Sequence, residues 1–226
     1  GGEIIVGTGW EEFCGRFLVN CGGLFSDRLA GMLDRESSEV NVQIVPFRGE
    51  YYKIAPEKGS LIKGLIYPVP DPRFPFLGVH FTRSIHGYVE AGPNAVLALA
   101  REGYRKSDVS LRDLWDTLSF SGFRSVARRY WRMGLEEQIR SFSKRAFTRA
   151  LQRLLPAITE DDLEPGGAGV RAQAVAADGA LLDDFVIRQS ANAIHVLNAP
   201  SPGATASLAI GENIAAAAAA AFGLKD

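Results

Sequence analysis

The stretch Asn198-Ala199-Pro200-Ser201-Pro202-Gly203-Ala204-Thr205-Ala206-Ser207 has the composition of a backbone built to meet an anionic or planar ligand. Ile194, Val196 and Leu197 read as the end of a strand, prolines stiffen the turn, and small residues open an alanine-rich helix ending near Gly223. The first N–H groups of a helix lack intrahelical partners, and the macrodipole favours negative charge there by about 0.3–1 kcal/mol. Gly203, Ala204, Thr205 and Ala206 would let a phosphate or a flavin edge approach the main chain. The same residues also suit an ordinary proline-bounded helix start, so local chemistry leaves both readings open.

Gly22-Gly23 offers a second backbone approach. Arg16 to Cys21 reads as a strand that stops at the glycines, and Ser26 and Asp27 can cap a helix carrying Leu29, Ala30, Met32 and Leu33 on one stripe. Strand, double glycine and helix is the form in which a chain reaches a nucleotide at a strand's carboxyl end, and also the form of a plain tight turn. Arg171 lies on an otherwise uncharged strand, Gly169 to Val175. There it can fork onto a carboxylate or close an internal ion pair.

Other catalytic templates are missing. The sequence has no Gly-x-Ser-x-Gly elbow, Walker loop or His-Glu-x-x-His, which removes support for hydrolase, nucleotidase and zincin chemistry. Gly167-Ala168-Gly169-Val170-Arg171-Ala172 has dinucleotide-type spacing, but acidic turn residues precede it and a strand follows it, the wrong context on both sides.

The elements that must position these residues fall into distinct styles. After the first βα unit come extended runs at Val42 to Val45, Tyr51 to Ile54, Leu61 to Tyr67, Phe76 to Phe81 and Tyr88 to Ala91. These read as an antiparallel meander, with Ile85-His86-Gly87 as a hairpin turn and Tyr67-Pro68-Val69-Pro70-Asp71-Pro72 as a stiff connection. From Ser110 to Leu155 the spacing of Leu111, Leu114, Trp115 and Leu118, then Phe123, Val126, Ala127, Tyr130 and Trp131, predicts helices, with a break at Gly134. Between Arg124 and Arg153 nine basic residues face two acidic ones, a local charge of +7. Such a segment is either a solvated helical face or a surface for docking on a membrane or a protein. Strands resume at Gly169 to Val175, Phe185 to Arg188 and Ile194 to Leu197.

Composition narrows the function classes. A chain of 226 residues with 46% apolar content can bury one large core or two small ones. A net charge of −1 argues against nucleic acid as a partner. Cys14 and Cys21 can form no multi-bridge framework and match no zinc spacing, which favours a reducing compartment and predicts no metal. No apolar run reaches the 18 or more residues of a spanning helix, since Glu212 and Asn213 interrupt the last one. Gly1-Gly2-Glu3 shows no signal-peptide pattern, and residue 1 reads as the middle of something. The expected setting is cytoplasmic, with the basic segment able to lie on the inner face of a membrane.

Leu65-Ile66-Tyr67-Pro68-Val69-Pro70-Asp71-Pro72, Phe76-Leu77-Gly78-Val79-His80-Phe81-Thr82, Gly92-Pro93-Asn94-Ala95-Val96-Leu97, Gly169-Val170-Arg171-Ala172-Gln173 and His195-Val196-Leu197-Asn198-Ala199-Pro200-Ser201-Pro202 occur in this order. Together they resemble the L-2-hydroxyglutarate oxidase/dehydrogenase family of FAD-dependent, D-amino-acid-oxidase-like oxidoreductases, from about Arg16 onward. The superfamily's first βαβ unit, with Gly-x-Gly-x-x-Gly, has no counterpart here, so the sequence resembles the C-terminal part of such an enzyme. That part alone is expected to bind FAD poorly. The implied fold class is α/β (mixed α+β): a partial FAD-binding layer at residues 1–40, a substrate cap at 41–165 and a return to the FAD layer at 166–226. The cap would hold an antiparallel sheet at 41–92 and helices at 93–165.

The resemblance implies oxidation of a 2-hydroxy acid to a 2-oxo acid, with hydride passing to flavin. A base must take the hydroxyl proton, and histidine titrates near working pH. His195, beside the flavin loop, and His80, on a cap strand, are the candidates, while His86 falls in an exposed turn. Arg171 is the first choice for the substrate α-carboxylate; Arg48, beside Gly49 and Tyr51, is the second, and Tyr51 lies next to the substrate. Gly22, Gly23, Pro200, Ser201, Pro202, Gly203, Ala204, Thr205, Ala206 and Ser207 would hold FAD. The partners implied are a small 2-hydroxy dicarboxylic acid and a quinone or oxygen as electron acceptor, beside the membrane surface. An oxidase of amino or N-methyl amino acids, and a non-catalytic docking module, are the alternatives.

Overall fold

The computed structural model describes residues 2–33, 42–69 and 78–224. Its strands are β1 (Ile4–Gly7), β2 (Glu12–Gly15), β3 (Leu18–Asn20), β4 (Val42–Ile54), β5 (His80–Arg83), β6 (Val89–Gly92), β7 (Val96–Leu97), β8 (Leu163–Ala176), β9 (Val186–Gln189) and β10 (Ala193–Asn198). Its helices are α1 (Ser26–Leu33), α2 (Pro56–Gly59), α3 (Leu111–Ser119), α4 (Ser121–Phe142), α5 (Lys144–Gln152) and α6 (Ser207–Phe222). The class is mixed α/β. The chain forms two compact units, Gly1–Ile44 with Ala172–Asp226, and Val45–Arg171.

In the first unit, β10 lies between β3 and β9, parallel to β3 and antiparallel to β9. All six of its residues are buried, which gives a short apolar run in place of strict alternation. β1 and β2 form a separate hairpin, and β2 gave no periodic signal because all four of its residues are exposed. The last helix starts at Ser207, later than the small residues suggested, because Ala206 N–H bonds to Pro202 O and holds residues 202 to 206 as a turn.

In the second unit the sheet order is β5-β6-β4-β7, with β8 also paired to β4. This corrects the meander: β4 pairs with β6 and β7, so strands adjacent in sequence do not all pair. Val42 to Val45 and Tyr51 to Ile54 are one 13-residue strand. The run Leu61 to Tyr67 is not a strand and contributes one bridge, Ile66 to Phe81. Pro70-Asp71-Pro72 and the residues Phe76 and Leu77 of the expected strand lie outside the described residues. One sheet face buries Ile54, Phe81, Val89 and Ala91 against Phe147 and Leu151 of α5, with Ile62, Ile158 and Leu163 closing the cluster. Ser143 caps α5 by accepting the Ala146 N–H at 3.2 Å, as Ser110 caps α3 through the Asp113 N–H. α4 continues through Gly134; its irregular residue is Tyr130, at φ −115° and ψ 18°.

Candidate functional site

Because β3 and β10 run parallel, their carboxyl ends lie together, and the two predicted backbone approaches follow directly from them. A cavity of about 380 Å³ opens there, lined among others by Cys21, Gly23, Leu197, Ala199, Gly203 and Ser207. Thus the glycine turn and the proline loop, 180 residues apart in Gly23 and Gly203, line one space. The two glycines have different reasons to be glycine. A Cβ on Gly22 would stand 2.9 Å from Asn20 Oδ1, the end of an amide held by hydrogen bonds, whereas Gly23 has φ +53° and nothing within 4 Å of where its Cβ would stand. The Gly203, Ala204 and Thr205 N–H groups make no intramolecular hydrogen bond among the described residues. An anion or carbonyl oxygen can take such donors.

His195 sits beside this space with 0% exposure, paired in register with Asn20. Asn20 Nδ2 donates to Ser26 O at 2.8 Å, which fixes the orientation of the amide. The 3.0 Å contact from Nδ2 to His195 Nδ1 is therefore a hydrogen bond accepted by the ring, so a neutral His195 carries its proton on Nε2. Asn20 Oδ1 accepts the Gly22 N–H at 3.0 Å. Asn20 itself was missed from sequence; its signal is a polar residue closing an apolar strand immediately before two glycines.

The second unit presents a polar sheet face. Lys53 and Thr82 both stand opposite Glu90 across neighbouring strands, and residues two apart along a strand share a face. Tyr51, Lys53, His80, Thr82 and Glu90 thus project from the face opposite the core residues Ile54, Phe81 and Ala91. The ring of His80 stacks on Tyr67 with centroids 4.1 Å apart. Its Nδ1 lies 3.1 Å from Gly78 O. A carbonyl can only accept, so Nδ1 donates and a neutral ring has its lone pair at Nε2. Burial pulls the His80 pKa below the ordinary value, and the Gly78 hydrogen bond opposes this in part. Tyr51 is pushed up by burial and then by Glu90 and Tyr67, which keeps its phenol protonated. Lys53 lies with Nζ 4.6 Å from the Tyr88 ring centroid.

Arg48 does not join this face. It is an odd number of residues from Tyr51 on the same strand and is 5% exposed. Its guanidinium binds Glu50 at 3.0 Å and donates to Arg105 O at 3.2 Å. Glu50 also accepts from Asn94 and Ser141, so Arg48 belongs to a buried network joining β4 to α4. Arg171 lies on an exposed stretch of β8, and partial burial draws its pKa below the ordinary guanidinium value. A guanidinium so displaced stays charged. Tyr67, Lys53 and Glu90 were not singled out from sequence, although the period-two alternation about Tyr51 and His80 carries the signal for Lys53 and Glu90. No group of three or more potential metal ligands occurs among the described residues.

Comparison with known proteins gives this arrangement a setting. The sequence matches the FAD dependent oxidoreductase (DAO) family over residues 1–217. It is 60% identical over 210 residues to L-2-hydroxyglutarate dehydrogenase of Indibacter alkaliphilus, covering 93% of this chain and 52% of that protein. It is 48% identical to the Escherichia coli K12 protein of the same name, covering 90% of this chain and 47% of the relative. The mitochondrial L-2-hydroxyglutarate dehydrogenase of Mus musculus is 46% identical, over 91% of this chain and 45% of the relative. The chain therefore spans about half the length of these relatives. In fold it is similar to FAD-bound, dithionite-reduced L-alpha-glycerophosphate oxidase of Mycoplasma pneumoniae, with a TM-score of 0.60 at 17% identity, over 94% of this chain and 44% of that one. Glycerol-3-phosphate dehydrogenase of Bacillus halodurans, complexed with FAD, gives 0.53 at 14% identity, over 96% and 34%.

Proposed function

This chain belongs to the FAD dependent oxidoreductase family, and on that premise we propose that it takes part in oxidising L-2-hydroxyglutarate to 2-oxoglutarate with FAD as hydride acceptor. The observation that carries the reading is 60% identity, over 93% of the chain, to a protein named for that reaction. The unit formed by Gly1–Ile44 and Ala172–Asp226 is assigned to the cofactor, and Val45–Arg171 to the substrate. FAD fits the first assignment: Gly23 leaves open space on the cavity, Gly203 lines it, and the N–H groups of Gly203, Ala204 and Thr205 in the same turn make no hydrogen bond among the described residues. Gly22, Gly23 and the loop Pro200 to Ser207 are the residues that would hold it.

FAD, when bound, supplies the acceptor for the hydride leaving substrate C2. His80 takes the hydroxyl proton at Nε2, for which its tautomer and its lowered pKa suit it. Arg171 forks onto the α-carboxylate. Tyr51 offers its phenolic O–H as a hydrogen-bond donor on the same face as His80. Arg48 is assigned to structure, because its guanidinium is buried and held by Glu50 and Arg105 O. A quinone or oxygen would serve as the final electron acceptor. The relatives described above are named for L-2-hydroxyglutarate, which favours this reading over an amino-acid oxidase.

A second observation favours a surface role. Trp131, Leu135, Ile139 and Phe142 lie at helical spacing along α4 and are 58%, 55%, 52% and 76% exposed. Exposed Arg128, Arg129 and Arg132 flank them. We assign this stripe to an anionic membrane on the cytoplasmic side, where a quinone acceptor would be in reach. No helix among the described residues is long and apolar enough to cross a membrane.

The test of the catalytic reading is anaerobic reduction of bound flavin in the full-length protein by L-2-hydroxyglutarate, its D-enantiomer, sarcosine and glycerol 3-phosphate. Bleaching by the L-enantiomer alone is expected. Bleaching by another member of the set, with none by L-2-hydroxyglutarate, would overturn it.

A further inference from the structure

The end of the β3–β10 ladder holds a buried polar pair where apolar side chains would serve the sheet. Asn20 is 4% exposed and His195 0% exposed. Burying an amide and an imidazole is costly unless their polar atoms are bonded. Here the Asn20 amide makes three hydrogen bonds: to Ser26 O, to His195 Nδ1, and from the Gly22 N–H. Each bond reaches a different part of the cavity's support. Gly22 N–H fixes the glycine turn, Ser26 O fixes the start of α1, and His195 ties both to β10, whose next residues Val196, Leu197 and Asn198 line the cavity. Ser26 Oγ adds a longer contact to Leu197 O at 3.5 Å.

We infer that His195 is a positioning residue for the flavin cavity, holding the Gly22-Gly23 turn against the end of β10 through Asn20, and that it takes no proton from substrate. The geometry supports this in two ways. His195 has no exposed surface from which to meet a substrate hydroxyl. Its Nδ1 lone pair is already used by Asn20, and protonating that atom would set an N–H against the amide NH₂. The inference rests on the FAD reading above and deepens it by separating the histidine that shapes the cofactor site from the one on the substrate face.

The experiment uses the full-length protein with His195→Asn, His195→Leu and Asn20→Ala. Asparagine places an acceptor oxygen where Nδ1 stood, and leucine does not. FAD dissociation constants from flavin fluorescence, and the visible spectrum of the bound flavin, are read before any turnover. His195→Leu and Asn20→Ala are expected to weaken FAD about tenfold or more and to shift the flavin spectrum, since each leaves buried groups unpaired. His195→Asn is expected to stay within about threefold of the parent in affinity, with its spectrum kept and turnover reduced by less than about tenfold once loaded with flavin. The inference is overturned if FAD-saturated His195→Asn loses a hundredfold or more in turnover, the mark of a lost base. It is also overturned if Asn20→Ala folds and binds FAD with parental affinity and spectrum. If the parent binds FAD but does not oxidise L-2-hydroxyglutarate, the substrate reading fails while the affinity comparison still decides this one.

Discussion

The His80 ring donates Nδ1–H to Gly78 O and stacks on Tyr67, so its orientation is set before any substrate arrives. Its pKa is lowered by burial, so the native state binds fewer protons than the unfolded chain just below the ordinary value of 6.5. Stability from this group is present above that value and is lost as pH falls through the window beneath it. The same shift places the acidic limb of kcat/KM below about pH 6.5, which a pH–rate profile would check. His80→Asn should lower kcat by about 10²–10⁴-fold with flavin content unchanged. An unaltered rate would move the base elsewhere. Arg171→Lys keeps the charge and loses the fork, so kcat/KM should fall by about tenfold to a hundredfold, with KM raised. Unchanged kinetics would return Arg171 to a structural task.

At the scale of elements, the Arg48 and Glu50 pair binds β4 to the chain at Arg105 and to Ser141 of α4. Glu50→Ala leaves a guanidinium at 5% exposure without its counter-charge, and breaking a buried pair in this way costs about 3–5 kcal/mol. Chemical denaturation measures it; a change below about 1 kcal/mol would mean that water reaches the pair. The α4 stripe carries a separate expectation. Attraction of about 1 kcal/mol per basic residue near an anionic surface, over a Debye length of about 8 Å, makes binding depend on salt. Co-sedimentation of the full-length protein should favour anionic over neutral vesicles and weaken as salt is added. Equal partition onto both, unaffected by salt, would leave these arginines as a solvated face or as partners of acidic residues elsewhere in the protein.

For the whole molecule, the cavity at β3 and β10 is lined by Gly203, whose N–H makes no hydrogen bond among the described residues, while the family's Gly-x-Gly-x-x-Gly turn, a principal pyrophosphate donor set, has no counterpart in this sequence. The 226-residue polypeptide alone is expected to bind FAD weakly. Calorimetric titration yielding a submicromolar dissociation constant would show that the cavity by itself suffices. The composition that makes a backbone cradle was legible in Pro200 to Ser207 and in Gly22-Gly23, because small residues and prolines act locally. Their meeting in one cavity was not, since it depends on a parallel pairing of Asn20 with His195 across 175 positions.

The sequence by itself determined the class of element at most positions, the helical segment with its +7 charge, and the resemblance to a family of flavin enzymes. Those properties follow from composition, capping chemistry and periods of two or 3.6, all read over neighbouring residues. The tertiary structure decided what each polar residue is for. Arg48 and Tyr51 look alike as site candidates in sequence, yet an odd separation of three residues and the carboxylate of Glu50 turn Arg48 into the core. His195 and His80 likewise differ only once folded: burial and an amide donor occupy the Nδ1 lone pair of one, and a carbonyl acceptor leaves Nε2 of the other with its lone pair. A side chain's role depends on which lone pairs and faces its neighbours use, and those neighbours come from distant parts of the chain.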